Sequence, residues 1–159
     1  YARAGFDLLP ALSAAGIPVL DAARAAAARV VEAGLDGIPE ANAIARAVRG
    51  AGYDRDLEVF LEQDSRLLLY EDRAFAVLRE GNVQIVGGRD AQAAALVTWG
   101  ALAAAPRGST AMLHNLTAAQ QWAITVALDA GLALSPDGPL CTRGRLGPMT
   151  PYLPSGAWL

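Results

Sequence analysis

Residues 66–90, Arg66-Leu-Leu-Leu-Tyr-Glu-Asp-Arg-Ala-Phe-Ala-Val-Leu-Arg-Glu-Gly-Asn-Val-Gln-Ile-Val-Gly-Gly-Arg-Asp90, decide the fold. Three apolar runs of strand length, Arg66–Tyr70, Ala74–Leu78 and Val83–Val86, are separated by Glu71-Asp72 and Glu80-Gly81-Asn82. Those short polar breaks suit hairpin turns, so the stretch predicts an antiparallel meander. Gly87-Gly88 ends it, and Asp90 is placed to cap a helix running to about Ala104.

Upstream, Ala28–Ala33 alternates as a strand. A helix follows with Pro39 in its first turn and Ile44 and Val48 on its apolar face. Gly50-Ala-Gly52 breaks it, and Asp54 can cap a second helix bearing Leu57, Phe60 and Leu61 at i, i+3 and i+4. Downstream, Thr110–Leu113 reads as a strand. Thr117 with Gln120 forms a capping box for a last helix carrying Trp122, Ile124, Val126 and Leu128. Gly131 stops that helix, and Leu132–Leu134 with Leu140–Thr142 suits a final hairpin. From Gly144 the chain carries Pro148, Pro151 and Pro154 and reads as an extended tail. At the other end, Phe6–Leu12 is a strand, Gly16-Ile-Pro-Val19 a turn, and Asp21–Ala28 a helical alanine run. This order specifies an α/β or α+β sandwich with a mixed sheet flanked by helices.

Of 159 residues, 53% are hydrophobic and 18% charged, which supplies a sizeable core and excludes a disordered chain. No apolar run reaches the ~20 residues that cross a bilayer, so no membrane partner is expected. Net charge is −3, and no arginine cluster forms a phosphate-tracking stripe, which argues against nucleic acid. All 13 basic residues are Arg, as a genome rich in guanine and cytosine would favour. The single cysteine, Cys141, excludes an intrachain disulfide and fits a reducing cytoplasm. One His and one Cys leave no metal site of known spacing.

The opening residues read as the end of a domain that begins further upstream. Arg3-Ala4-Gly5-Phe6 passes from helix through a glycine stop to a strand. The passage returns at Ala127–Gly138 with an offset of 126, sharing Ala4/Ala130, Gly5/Gly131, Leu8/Leu134 and Pro10/Pro136. The division expected is 1–16 as the tail of a preceding domain, 17–27 as a linker helix, 28–143 as a second domain and 144–159 as the tail.

The element order resembles the GNAT superfamily of acetyl-CoA-dependent N-acetyltransferases (acyl-CoA N-acyltransferases). Tyr1-Ala-Arg-Ala-Gly-Phe6 is similar to that superfamily's Y-x-x-x-G-F motif, in which the Tyr acts as general acid toward the departing CoA thiolate. Leu116–Leu134 together with Pro151-Tyr-Leu-Pro-Ser-Gly-Ala-Trp-Leu159 resembles the C-terminal half of tandem actinobacterial members. The resemblance implies a parent acetyltransferase using acetyl-CoA, with residues 28–143 as a degenerate copy. The superfamily's cofactor loop, R/Q-x-x-G-x-G/A, wraps the CoA pyrophosphate with backbone N–H groups. The matching place here is Val86-Gly87-Gly88-Arg89-Asp90-Ala91, with altered spacing and an acid at the helix start. Gly87, Gly88 and Arg89 are thus a degenerate cofactor loop, or a tight turn before an N-cap. Ala127 stands where the aligned acid Tyr1 would be, and a methyl group donates no proton. The second copy therefore reads as non-catalytic, with acetyl-CoA belonging to the parent protein rather than to residues 28–159.

Other residues carry blander readings. His114 suits a hydrogen-bonding role, and Cys141 a small buried hydrophobe. Glu58 and Glu62 share a solvated helix face. Ser155 sits outside any G-x-S-x-G elbow. Trp99 and Trp122 suit core or interface. Tyr152, Trp158 and Leu159 lie on a proline-stiffened tail that can pack at a domain junction or a subunit contact, and the Leu159 carboxylate could reach a catalytic pocket. Alternative readings are a dimerising or small-ligand regulatory module, and a second active site built on the unusual loop.

Overall fold

The computed structural model describes residues 1–20, 28–144 and 147–155. The helical run expected over 21–28 falls outside them except for Ala28, and Trp158 and Leu159 fall outside entirely. The meander forms as β4 (Arg66–Tyr70), β5 (Ala74–Arg79) and β6 (Asn82–Gly88). Ahead of it run β1 (Asp7–Leu9), β2 (Leu12–Gly16), β3 (Val30–Ala33), α1 (Ile38–Arg49) and α2 (Arg55–Glu62). After it come α3 (Ala91–Ala104), β7 (Ala111–Leu116), α4 (Gln121–Asp129), β8 (Ala133–Pro136), β9 (Leu140–Thr142) and β10 (Tyr152–Leu153).

The main sheet has the order β3-β4-β5-β6-β7-β2-β8, with β10 paired to β6. Its neighbours are antiparallel except β6 and β7, which run parallel because α3 carries the chain back across the sheet. Strands β1 and β9 form a separate two-stranded ribbon. The sheet buries both faces. On one side α3 and α4 cover Leu68, Val86, Leu113 and Leu116. On the other, α1 and α2 bring Ile44, Leu57 and Phe60 against Leu67, Phe75 and Ile85. Helix α3 reads apolar all round, with Val97 and Ala101 fully buried, as expected of a helix closed in by a sheet and by α4. Among the described residues no helix is long and apolar enough to cross a membrane.

Several local expectations give way to tertiary contacts. The final hairpin does not form: β8 pairs with β2, and β9 pairs with β1. The strand expected over Phe6–Leu12 is broken at Pro10-Ala11, and Leu12–Gly16 becomes an inner strand of the main sheet. Asp54 precedes α2 without capping it. Its N–H and that of Tyr53 go to the Asn42 side chain, and its own carboxylate goes to Arg46. The capping box also fails. Thr117 makes no side-chain cap, and buried Gln120 turns inward, where Nε2 donates to Met149 O at 2.8 Å and Oε1 accepts from Tyr152 N and Trp122 Nε1. Leu128, expected on the apolar face of the last helix, is 56% exposed.

Candidate functional site

The parallel strands β6 and β7 pair only at Asn82–Val83 with Met112–Leu113. Two β-bulges coincide with the end of that pairing. On β6, Ile85 faces Val77 and Val83 faces Leu78, which leaves Gln84 as the extra residue. On β7, Leu12 of β2 faces Leu116 and Ala14 faces Leu113, so His114-Asn115 opposes the single residue between them. Asn115 takes a left-handed conformation (φ 58°), which an Asn side chain tolerates better than most. A bulge bends its strand and raises its twist, so the two strands separate beyond this point.

The C-terminal tail enters the opening. β10 lies antiparallel along β6, with Tyr152 opposite Gly87 and Leu153 opposite Val86. Asn115 Nδ2 donates to Pro154 O at 2.9 Å, tying the tail to β7. Tyr152 and Leu153 are 1% and 3% exposed, so the tail is part of the core. The hydroxyls of Tyr152 and Tyr53 hydrogen-bond to each other, and Arg49 stacks over the Tyr53 ring at 4.3 Å. Burial pushes both hydroxyl pKa values above the ordinary tyrosine value, and for Tyr53 the neighbouring Tyr152 pushes the same way.

Beside the tail lies the loop read from sequence as a degenerate cofactor loop. Gly88 N–H donates to Pro151 O, and Arg89 N–H donates to Arg73 O. The Asp90 side chain accepts from Ala93 N–H at 2.9 Å and caps α3 as expected. The Ala94 N–H goes to Asp90 O. The Asp90 carboxylate is held below its ordinary value, first by the Ala93 N–H and then by Arg73 at 2.8 Å. The Arg89 guanidinium points elsewhere, donating to Asp72 O at 2.7 Å and lying 3.7 Å from Glu40. Both glycines have a packing reason. A Cβ on Gly87 would stand 2.5 Å from the Phe75 ring, and one on Gly88 would stand 2.9 Å from Ala94 Cβ. The Gly88 and Arg89 N–H groups are engaged by the chain itself and the Asp90 carboxylate occupies the helix start, so these residues do not fit a CoA pyrophosphate.

A polar cavity of about 410 Å³ opens at the bulges, lined by Gln84, His114, Asn115, Asp137 and Ser155 among others. His114 Nδ1 lies 3.2 Å from Asp137 Oδ2, which fixes the ring orientation. Burial acts to raise the Asp137 pKa, but hydrogen bonds from His114 and from Gly138 N–H outweigh it and leave the pKa lowered. A carboxylate–imidazole pair beside a polar cavity can hydrogen-bond a polar ligand or accept a proton. Nothing in the sequence linked Asp137, 23 residues away, to His114, because the strand order alone joins them.

A larger cavity, about 560 Å³, lies between the ribbon and the end of α1. Phe6, Arg49, Cys141, Arg143, Met149 and Tyr152 help line it. Cys141 is half-buried there as a free thiol. Tyr1 is 82% exposed and its ring meets Phe6 edge-on, with ring centroids 5.8 Å apart. Ala127, its counterpart in the repeat, is fully buried in α4. Glu58 and Glu62 are exposed, and Trp99 and Trp122 are half-buried against the α3–α4 core. Among the described residues, no group of His, Cys, Asp and Glu side chains could hold a metal.

No family model and no curated protein matches the chain. A solved structure does: that of "a putative acetyltransferase" from Pyrococcus horikoshii, with TM-score 0.68 and 14% identity. The match covers 93% of this chain and 50% of that one, so this chain spans about half the length of its structural neighbour. The likeness shows an acetyltransferase-like fold, a mixed sheet flanked by helices.

Proposed function

We propose that the chain is the non-catalytic half of an acetyl-CoA-dependent N-acetyltransferase of the GNAT type, holding and shaping a preceding catalytic half. The observation that carries this reading is the filled cofactor loop. The Gly88 and Arg89 N–H groups are donated to Pro151 O and Arg73 O, the Asp90 carboxylate caps the helix start, and β10 lies along β6 beside them. Fold alone does not fix function; this loop and the alanine at 127, where the repeat aligns Tyr1, are what support a non-catalytic role. Tyr1, exposed and without a cofactor loop of its own here, is in keeping with a general acid belonging to the preceding half. In that arrangement acetyl-CoA and the acceptor amine bind upstream, and the protein works in the cytoplasm with Cys141 reduced. The Leu159 carboxylate is a weaker candidate for the same catalytic pocket.

Titration calorimetry of residues 1–159 with acetyl-CoA tests the proposal. The expected result is no binding tighter than about 1 mM. Micromolar binding would revive a second active site and sink this reading. A second reading, a small-ligand regulatory module, is favoured by the 560 Å³ cavity, which Arg49 and Arg143 line together with Phe6, Met149 and Tyr152. It predicts that a small apolar carboxylate such as benzoate raises the melting temperature, and that Arg49→Ala abolishes the shift.

A further inference from the structure

We infer that the free edge of β9 docks onto a strand of the preceding acetyltransferase-like half in the same polypeptide, so that the two halves exchange their inner strands. The inference rests on the reading above that such a half exists.

The main sheet shows one side of the exchange. β2 lies between β7 and β8, although it precedes both by about a hundred residues of chain. The hairpin expected from sequence would pair β9 with β8, the strand it follows, but β8 pairs with β2. Instead β9 lies outside the sheet, paired with β1.

The internal repeat shows that the two ladders are counterparts. With the offset of 126, Asp7–Leu9 falls on 133–135 within β8, and Leu12–Gly16 falls on 138–142, which contains β9. Each ladder is antiparallel and joins a strand of the earlier copy to one of the later copy. Leu134 faces Ala14, and its repeat mate Leu8 faces Cys141, one residue beyond the mate of Ala14. The stops that launch β1 and β8 also match, Gly5 at φ 80° and Gly131 at φ 73°. β9 therefore stands to β1 as β2 stands to β8.

β2 has a second partner, β7, whereas β9 has none among the described residues. A two-stranded ribbon of three paired positions is too small to be stable by itself, and an open strand edge is a template for pairing. Leu8 and Leu9 are 44% and 41% exposed, apolar surface that a packed sheet would cover. On the proposed function, the required occupant is the counterpart of β7 in the earlier copy, whose preceding elements would lie before Tyr1. A second copy of this chain fits less well, because its own β2 already occupies the edge of β7 that β9 would need. A structural neighbour twice as long as the match leaves room for the other half.

Amide hydrogen exchange, measured on residues 1–159 and on the natural polypeptide with its preceding residues, tests the inference. Amides within Leu140–Thr142 should exchange at least about tenfold more slowly in the longer polypeptide, while those of β2 stay unchanged. Equal rates in the two overturn the docking. Dimerisation of residues 1–159 that protects Leu140–Thr142 overturns the choice of occupant. Titrating the longer polypeptide with acetyl-CoA keeps the two readings apart. Protected β9 without acetyl-CoA binding sustains the docking and removes the acetyltransferase, and binding with unprotected β9 does the reverse.

Discussion

Both ends of the described chain enter the main sheet as strands, yet the β1–β9 ribbon, built from residues beside them, stays outside it. β2 and β10 sit among buried side chains, with Ala14 fully enclosed and Tyr152 and Leu153 nearly so. β1 and β9 have the same local character, three apolar-rich residues each, but only one paired edge apiece. The difference shows that strand-forming sequence settles the conformation of these segments and leaves their place in the sheet open. That place depends on which neighbour offers a free edge and an apolar surface.

The largest effect should come from putting a charge on each side of this contrast. Ala14→Asp places a carboxylate where the side chain is fully buried and should destabilise residues 1–159 by at least about 3 kcal/mol in urea unfolding. Leu8→Asp, on the exposed ribbon, should change the same chain by less than about 1 kcal/mol. Equal losses would mean that the ribbon is as integral as β2.

Next comes the anchor of the tail. Gln120→Ala removes the donor to Met149 O and the acceptor for Tyr152 N, leaving buried groups unpaired at a cost of about 2 kcal/mol. Faster exchange of the Tyr152 and Leu153 amides, with β2 unaffected, would place the loss at the tail. A uniform loss across the sheet would show that β10 and β2 are one cooperative unit.

The tyrosine pair sharpens the comparison through pH. Burial raises the pKa of both Tyr53 and Tyr152 in the folded chain, so the fold holds their protons more tightly than the unfolded chain does. Their contribution to stability is whole below the ordinary tyrosine value of 10.0 and is lost as the pH rises above it. Tyr152→Phe should cost about 1 kcal/mol at neutral pH and flatten the fall in stability above pH 10. An unchanged alkaline slope would exclude the pair as its source.

The smallest effect concerns the two glycine stops. Gly5→Ala and Gly131→Ala both force a side chain into a left-handed backbone and should each cost roughly 1 kcal/mol. The Gly131 loss should appear in unfolding of the main sheet. The Gly5 loss should appear only in exchange at β1, unless the ribbon and the sheet melt together.

Much of this was legible in the chain. The meander, both flanking helix pairs, the Asp90 cap and the glycine stops follow from apolar spacing and turn residues. The turn before α3 was legible too, since Asp90 at a helix start is a local signal. The engagement of the loop by Pro151 was not legible, because 63 residues separate Gly88 from its acceptor. Gln120 is instructive: three residues after Thr117 it completes a capping pattern, but burial and the approach of the tail give its amide better partners. The Asp137–His114 pair and the two bulges left no mark in sequence, because both depend on register between strands distant in the chain.

By itself the sequence determined most of the helices and strands, because spacing, caps and glycine conformations act within a few residues, but it did not mark Ser13–Gly16 or Tyr152–Leu153 as strands. It also carried the repeat that relates β1 to β8 and the passage at Gly5 to that at Gly131. Only the tertiary structure decided that β8 would pair with β2, that β9 would leave its sequence neighbour for β1, and that the tail would fill the space between β6 and β7. The physical reason is that backbone hydrogen bonds are interchangeable between strands. Partner choice therefore falls to burial, strand twist and the free edges that the rest of the fold leaves available.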